Sequence, residues 1–149
     1  MARVLFHVLP APAPAAVDED ELAWICRLIE HHYLAGERIF VACPDQATAE
    51  AVDEHLFSFA ADSFVPHNLQ GEGPAGGAPV EIGWQVPQGR RTVLFNLHPT
   101  LPPFGLQSPL ILEIVPVEEQ RKAAARERFK QYRNQGHQVE TLDLASQPL

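Results

Sequence analysis

The apolar positions of this chain fall into two rhythms, unbroken short runs and helical spacing, and the two alternate from start to end. Residues 2–9 form an apolar run with β-branched and aromatic content, which predicts a buried strand, and Pro10 to Ala16 then make a stiff Pro/Ala connector. Asp18 with Glu21 three positions on has the form of a capping box. Leu22, Ile25, Cys26, Ile29 and Tyr33 follow at helical spacing until Gly36 ends the helix. Arg38 to Cys43 predicts a second strand, after which Pro44 and Asp45 open a helix whose apolar side includes Ala49, Val52 and Leu56.

The middle of the chain changes character. A Gly/Pro-rich passage from Leu69 to Pro79, bracketed by Phe64-Val65 and by Val80-Glu81-Ile82, predicts a long loop. Thr92 to Leu97 and, after the Pro99–Pro109 connection, Leu110 to Val115 are near-continuous apolar runs of the kind covered on both faces of a sheet. A helix is expected from about Val117 to Asn134 with Gly136 just beyond its end, then a short strand from Val139 to Leu144. This alternation predicts an α/β fold: one domain over residues 1–149, with a largely parallel sheet flanked by helices.

Composition fits that picture. A chain of 149 residues with 46% hydrophobic content can bury roughly 70% of its unfolded surface around one core. Arg3 and the apolar residues after it resemble a weak secretory signal, but His7 and prolines 10, 12 and 14 interrupt the run, so a buried strand is expected. No apolar stretch approaches the length of a membrane span. Cys26 and Cys43 each sit inside a regular element and form no CxxC pair, which fits a reducing cytoplasm.

The net charge of −8 opposes broad binding of phosphate backbones, so strong direct nucleic-acid binding is not expected. Residues 117–134 depart from that balance. Arg121, Lys122, Arg126, Arg128, Lys130 and Arg133 outnumber Glu118, Glu119 and Glu127 there, so a small anionic partner is suggested.

Gly71-Glu72-Gly73-Pro74-Ala75-Gly76 has the letters of GxGxxG, and a nucleotide-binding enzyme using this loop is the alternative reading. The fingerprint requires a following helix whose N-terminal amides receive pyrophosphate, whereas Gly77-Ala78-Pro79 leads into an extended Val80-Glu81-Ile82. No P-loop is present. The histidines show no HExxH or Cys/His ligand spacing, and adjacent His31 and His32 point about 100° apart on a helix. Ser58, Ser63, Ser108 and Ser146 lie in no GxSxG motif. Carboxylate pairs such as Asp18/Asp20 and Glu118/Glu119 sit in first helical turns, where the macrodipole accounts for them. No catalytic residue, metal site or cofactor is expected.

Two clusters stand out. Lys122, Arg126, Phe129, Lys130 and Arg133 fall at spacings of three and four, along one side of the last helix. This is either a solvated basic face with Phe129 turned into the core, or a site for a peptide bearing carboxylates and an aromatic ring. Phe57, Phe59 and Phe64 gather around the end of the second helix. They are either core or, if exposed, a protein interface.

Ser63-Phe64-Val65-Pro66-His67-Asn68-Leu69, Gly71-Glu72-Gly73-Pro74 and Gly76-Gly77-Ala78-Pro79-Val80-Glu81-Ile82 closely resemble the signature of the DNA polymerase III chi subunit family. The likeness extends to Ala42-Cys43, to Val115-Pro116, and to Ala125-Arg126-Glu127-Arg128-Phe129-Lys130 with Tyr132-Arg133, so it spans nearly the whole chain. The resemblance implies a Rossmann-like α/β fold without nucleotide chemistry, in a non-catalytic adaptor attached to the clamp loader through a psi subunit. It also implies binding of the acidic C-terminal tail, ending in proline and phenylalanine, of single-stranded DNA-binding protein. The family's tail site maps to Val115, Lys122, Arg126, Phe129 and Lys130, and its psi-facing surface to Phe57 and Phe64. The family often has tryptophan at Phe57 and tyrosine at Phe129, so the apolar body is kept and a polar handle lost.

Overall fold

The computed structural model describes residues 2–10, 17–58, 64–73, 77–87, 89, 91–102 and 108–146, with side chains in the first helix from residue 21 onward. The Pro/Ala connector beyond Pro10, Phe59 and positions 103–107 of the later connection lie outside the described residues.

In chain order the elements are β1 (Arg3–Val8), α1 (Val17–Leu34), β2 (Ile39–Ala42), α2 (Gln46–Ser58), β3 (His67–Leu69), β4 (Val80–Gly83), β5 (Val93–Asn96), β6 (Leu110–Val115), α3 (Glu119–Asn134) and β7 (Gln138–Asp143). The strands form one seven-stranded sheet of order β3-β4-β2-β5-β6-β1-β7. Every pairing in it is parallel, from Val8 beside Val115 and Asp143 at one end to Leu69 beside Ile82 at the other. The sheet is thus wholly rather than largely parallel.

Connection handedness sorts the helices. The steps β1 to β2 and β2 to β3 head toward the β3 edge, while β6 to β7 heads toward the β7 edge. Right-handed crossovers therefore put α1 and α2 on one face and α3 on the other. Side-chain alternation agrees: Leu5, Val41, Phe95 and Leu112 pack with Ile25, Ile29 and Val52 from α1 and α2. Val4, Phe6, Phe40, Leu94 and Ile111 pack with Ala125 and Tyr132 from α3. Cys26 and Cys43 are buried free thiols, and burial pushes both up to about 12, so neither ionises readily.

Three local expectations need correction. Helix α1 already begins at Val17, so Asp18 lies within it rather than at the position before its first turn. The Glu21 carboxylate instead accepts from Arg121 Nη1 at 2.9 Å, joining α1 to α3. Helix α3 starts at Glu119, and Glu118 is its cap, accepting from the Arg121 amide at 3.2 Å. Strand β3, with only three residues, falls where a loop was expected to begin.

The Gly/Pro-rich passage enters β4 rather than a helix. Positions 74–76 of it lie outside the described residues, and the residues on either side are tied by hydrogen bonds. Asn68 Oδ1 accepts from the Ala78 amide at 2.7 Å, and Gln70 accepts from the Gln85 amide at 3.1 Å while donating to Val86 O at 2.9 Å. Gly77 has φ +77°, and a Cβ there would stand 2.5 Å from Arg91 Nη2 and 2.7 Å from Glu81 Oε2. Arg91 in turn donates to Ala78 O at 2.7 Å. Only glycine lets the loop close over that buried pair.

Candidate functional site

Helix α3 has a buried side and an exposed side that differ in chemistry. Ala125, Arg128 and Tyr132 are buried. Arg128 reaches Glu113, a carboxylate with no exposed surface in the middle of β6, with Nε 3.0 Å from Oε1. Asn96 Nδ2 and the Tyr132 hydroxyl each donate to Glu113 Oε2 at 2.7 Å. Arg128 also donates through Nη1 to Pro99 O at 3.0 Å. Burial pushes the Glu113 carboxyl up to about 7, against the opposing pull of Arg128, Asn96 and Tyr132.

Sequence reasoning missed this node. Leu110–Val115 reads as apolar and Arg128 as one more surface cation. The signal was a lone glutamate inside a strand buried on both faces, which requires a partner.

The exposed side carries the predicted stripe. Arg126 and Lys130 are exposed, and Lys122 is partly covered, with its ammonium 3.6 Å from solvent-facing Glu119. Phe129 takes a position between the two expected ones. Its ring lies 5.3 Å from that of Phe6 and packs against the α3-side core, yet the residue stays partly exposed, and the Arg133 guanidinium lies 5.9 Å from its centroid. Val115, at the carboxyl end of β6, packs against the same core and is likewise partly exposed. The Val115-Pro116 corner leads directly to the α3 cap, and the Lys122 amide donates to Glu118 O at 2.8 Å. A half-open apolar strip is thereby flanked by cations, a combination suited to a ligand with a ring and carboxylates.

The other cluster is exposed. Phe57 and Phe64 keep 81% and 77% of their surface in solvent, so the core alternative fails for both. They stand near the β3 edge, where α2 packs on β3 and β4, whereas α3 packs on β6 and β7 across the sheet and on its other face.

A cavity of about 330 Å³ opens at the carboxyl ends of β2, β5 and β6, lined among others by Ile25, Val52, Asn96, Ile114, Arg121 and Arg128. This crevice is where open parallel sheets hold ligands. Its two arginines already face carboxylates, Arg121 on Glu21 and Arg128 on Glu113. The Gly71–Gly73 turn lies after β3, away from this lining.

The family profile and the curated relatives point to one family. The family profile described as DNA polymerase III chi subunit, HolC matches residues 1–140. The chain is similar to the DNA polymerase III subunit chi of Escherichia coli K12, 40% identical over 78% of this chain and 81% of that protein. It is also similar to the chi subunits of Haemophilus influenzae, 33% identical over 93% and 95%, and of Pseudomonas aeruginosa, 35% identical over 94% and 95%. Among solved structures, T4 UvsW superposes with a TM-score of 0.56 at 10% identity, over 96% of this chain and 41% of that one, a likeness of fold alone.

Proposed function

This chain belongs to the DNA polymerase III chi subunit family, and on that premise we propose that it is a non-catalytic adaptor of the replicative polymerase, working in the cytoplasm. In this reading α3 grips the acidic C-terminal tail of single-stranded DNA-binding protein, and a psi subunit docked at Phe57 and Phe64 links the chain to the clamp loader. The observation that carries the reading is the stripe of Lys122, Arg126 and Lys130 beside the half-open Phe129 and Val115, on a protein whose net charge is −8. Such a local cationic strip selects a short acidic segment over an extended phosphate backbone, which the remaining surface charge repels. The terminal phenylalanine of the tail fits the apolar strip and its carboxylates fit the cations.

The adaptor reading also suits the disposition of the two clusters. Lying near different ends of the sheet and on different elements, they leave room for two partners at once. Capture of full-length single-stranded DNA-binding protein by this chain, and loss of capture when its tail is removed, is the expected outcome of a pull-down. Equal capture of both forms would remove the tail from the account.

Phe57→Ala and Phe64→Ala are each expected to weaken psi binding by about 2 kcal/mol, the scale for truncating an aromatic anchor, and to leave tail binding unchanged. Because both rings face solvent, thermal melting should show folds as stable as wild type. Unchanged psi affinity in both variants would place the docking surface elsewhere.

A further inference from the structure

We propose that His67 is a positioning residue that locks Phe57 and Phe64 into one docking face for the psi subunit, an inference that rests on the reading of that face given above. The two rings belong to different elements: Phe57 to the last turn of α2, Phe64 to the segment that enters β3. A single imidazole joins those elements at the residues beside each ring. His67 Nδ1 lies 2.7 Å from Val65 O, next to Phe64. Its Nε2 lies 3.4 Å from Asp53 Oδ1, and Asp53 stands four residues before Phe57 on the same side of α2. The imidazole itself is buried, with 7% of its side chain exposed, while Asp53 is one-third exposed.

Burial of a polar ring there has a specific use. Val52, Leu56 and Val65 already supply the apolar contact between α2 and the β3 segment. Apolar contact is non-directional and tolerates sliding. A one-residue slip of α2 turns Phe57 by about 100°; with Nδ1 donating to Val65 O, the imidazolium form of His67 holds its second proton toward Asp53 at 3.4 Å, and this ion pair favours one setting. Without it, the two rings share a face only part of the time. Affinity falls in proportion to that fraction, so a face assembled about one-tenth of the time binds about tenfold more weakly.

The test separates the two contacts of the ring. Glutamine places its side-chain amide where Nε2 stands and keeps the link to Asp53; asparagine places its amide where Nδ1 stands and keeps only the local contact to Val65 O. The measurement is psi affinity for the full-length chain carrying His67→Gln, His67→Asn, Asp53→Ala, Phe57→Ala or Phe64→Ala, with titration of an acidic tail peptide as a second readout.

The expected result is a roughly tenfold loss of psi affinity for His67→Asn and Asp53→Ala, near-wild-type affinity for His67→Gln, and unchanged tail binding throughout. Asp53→Ala keeps the test sound even if His67→Asn folds poorly, since it alters only a partly exposed carboxylate. If the phenylalanine variants lose psi binding while His67→Asn, His67→Gln and Asp53→Ala all behave alike, the clasp is wrong and the face stands. If the phenylalanine variants bind as wild type, the face is wrong and the clasp falls with it.

Discussion

Glu113→Ala is expected to destabilise the fold by about 3–5 kcal/mol, the cost of removing one partner from a buried ion pair. The substitution leaves the Arg128 guanidinium buried with a carbonyl of Pro99 but no carboxylate, and takes the acceptor from Asn96 Nδ2 and the Tyr132 hydroxyl together. All three donors, two from α3 and one from β5, converge on one carboxylate of β6, so their losses are not independent and the effect concentrates in one site. Denaturant unfolding should show a lower midpoint with an unchanged slope. A midpoint within experimental error of wild type would mean the network is solvated in solution.

The same carboxyl gives a pH signature. Its pKa rises from 4.5 to about 7 on folding. The folded state therefore holds a proton that the unfolded state has released, and this contribution, complete below pH 4.5, is lost as pH rises to about 7. Glu113→Gln cannot titrate. The stability of wild type relative to Glu113→Gln should decline between pH 4.5 and 7, which parallel unfolding series on the two proteins would reveal.

Arg126→Ala is expected to weaken binding of the acidic tail by roughly 1.5–3 kcal/mol, the range for hydrogen bonds to charged groups, or about tenfold to hundredfold. The guanidinium can hold a terminal carboxylate through two parallel hydrogen bonds, a geometry that a lysine ammonium does not reproduce. Arg126→Lys should therefore recover only part of the loss. Lys122 and Lys130, about one turn to either side, should then act as point charges whose effect is screened over about 10 Å at 0.1 M salt. Any contribution of Val115 and Phe129 would come from burial and should persist at high salt. Arg126 is exposed, so melting should not change.

Much of this fold was legible because its signals were long. The apolar runs at β1, β5 and β6 and the helical spacing from Leu22 to Tyr33 extend over enough residues for their period to be read. Strand β3 escaped because three residues, His67, Asn68 and Leu69, establish no period, and its pairing comes from β4, which lies farther along the chain. Glu113 and Arg128 are fifteen residues apart in sequence. Their pairing depends on α3 crossing β6, which no local pattern encodes. The exposure of Phe57 and Phe64 was equally hidden, since an aromatic at the end of a helix has the same letter inside and outside; only the family resemblance pointed outward. At Phe129 both readings captured part of the arrangement, because the ring rests on Phe6 and is also open to solvent.

The most direct test of an adaptor that grips a peptide tail at α3 is calorimetric titration of an acidic peptide ending in Pro-Phe into wild type, Arg126→Ala and Arg126→Lys, at low and high salt. Wild type should bind most tightly, Arg126→Lys should fall between, and Arg126→Ala should lose about tenfold to hundredfold, with a residual apolar contribution that salt does not remove. Equal affinities for all three proteins would contradict the assignment and leave the basic stripe as a solvated face.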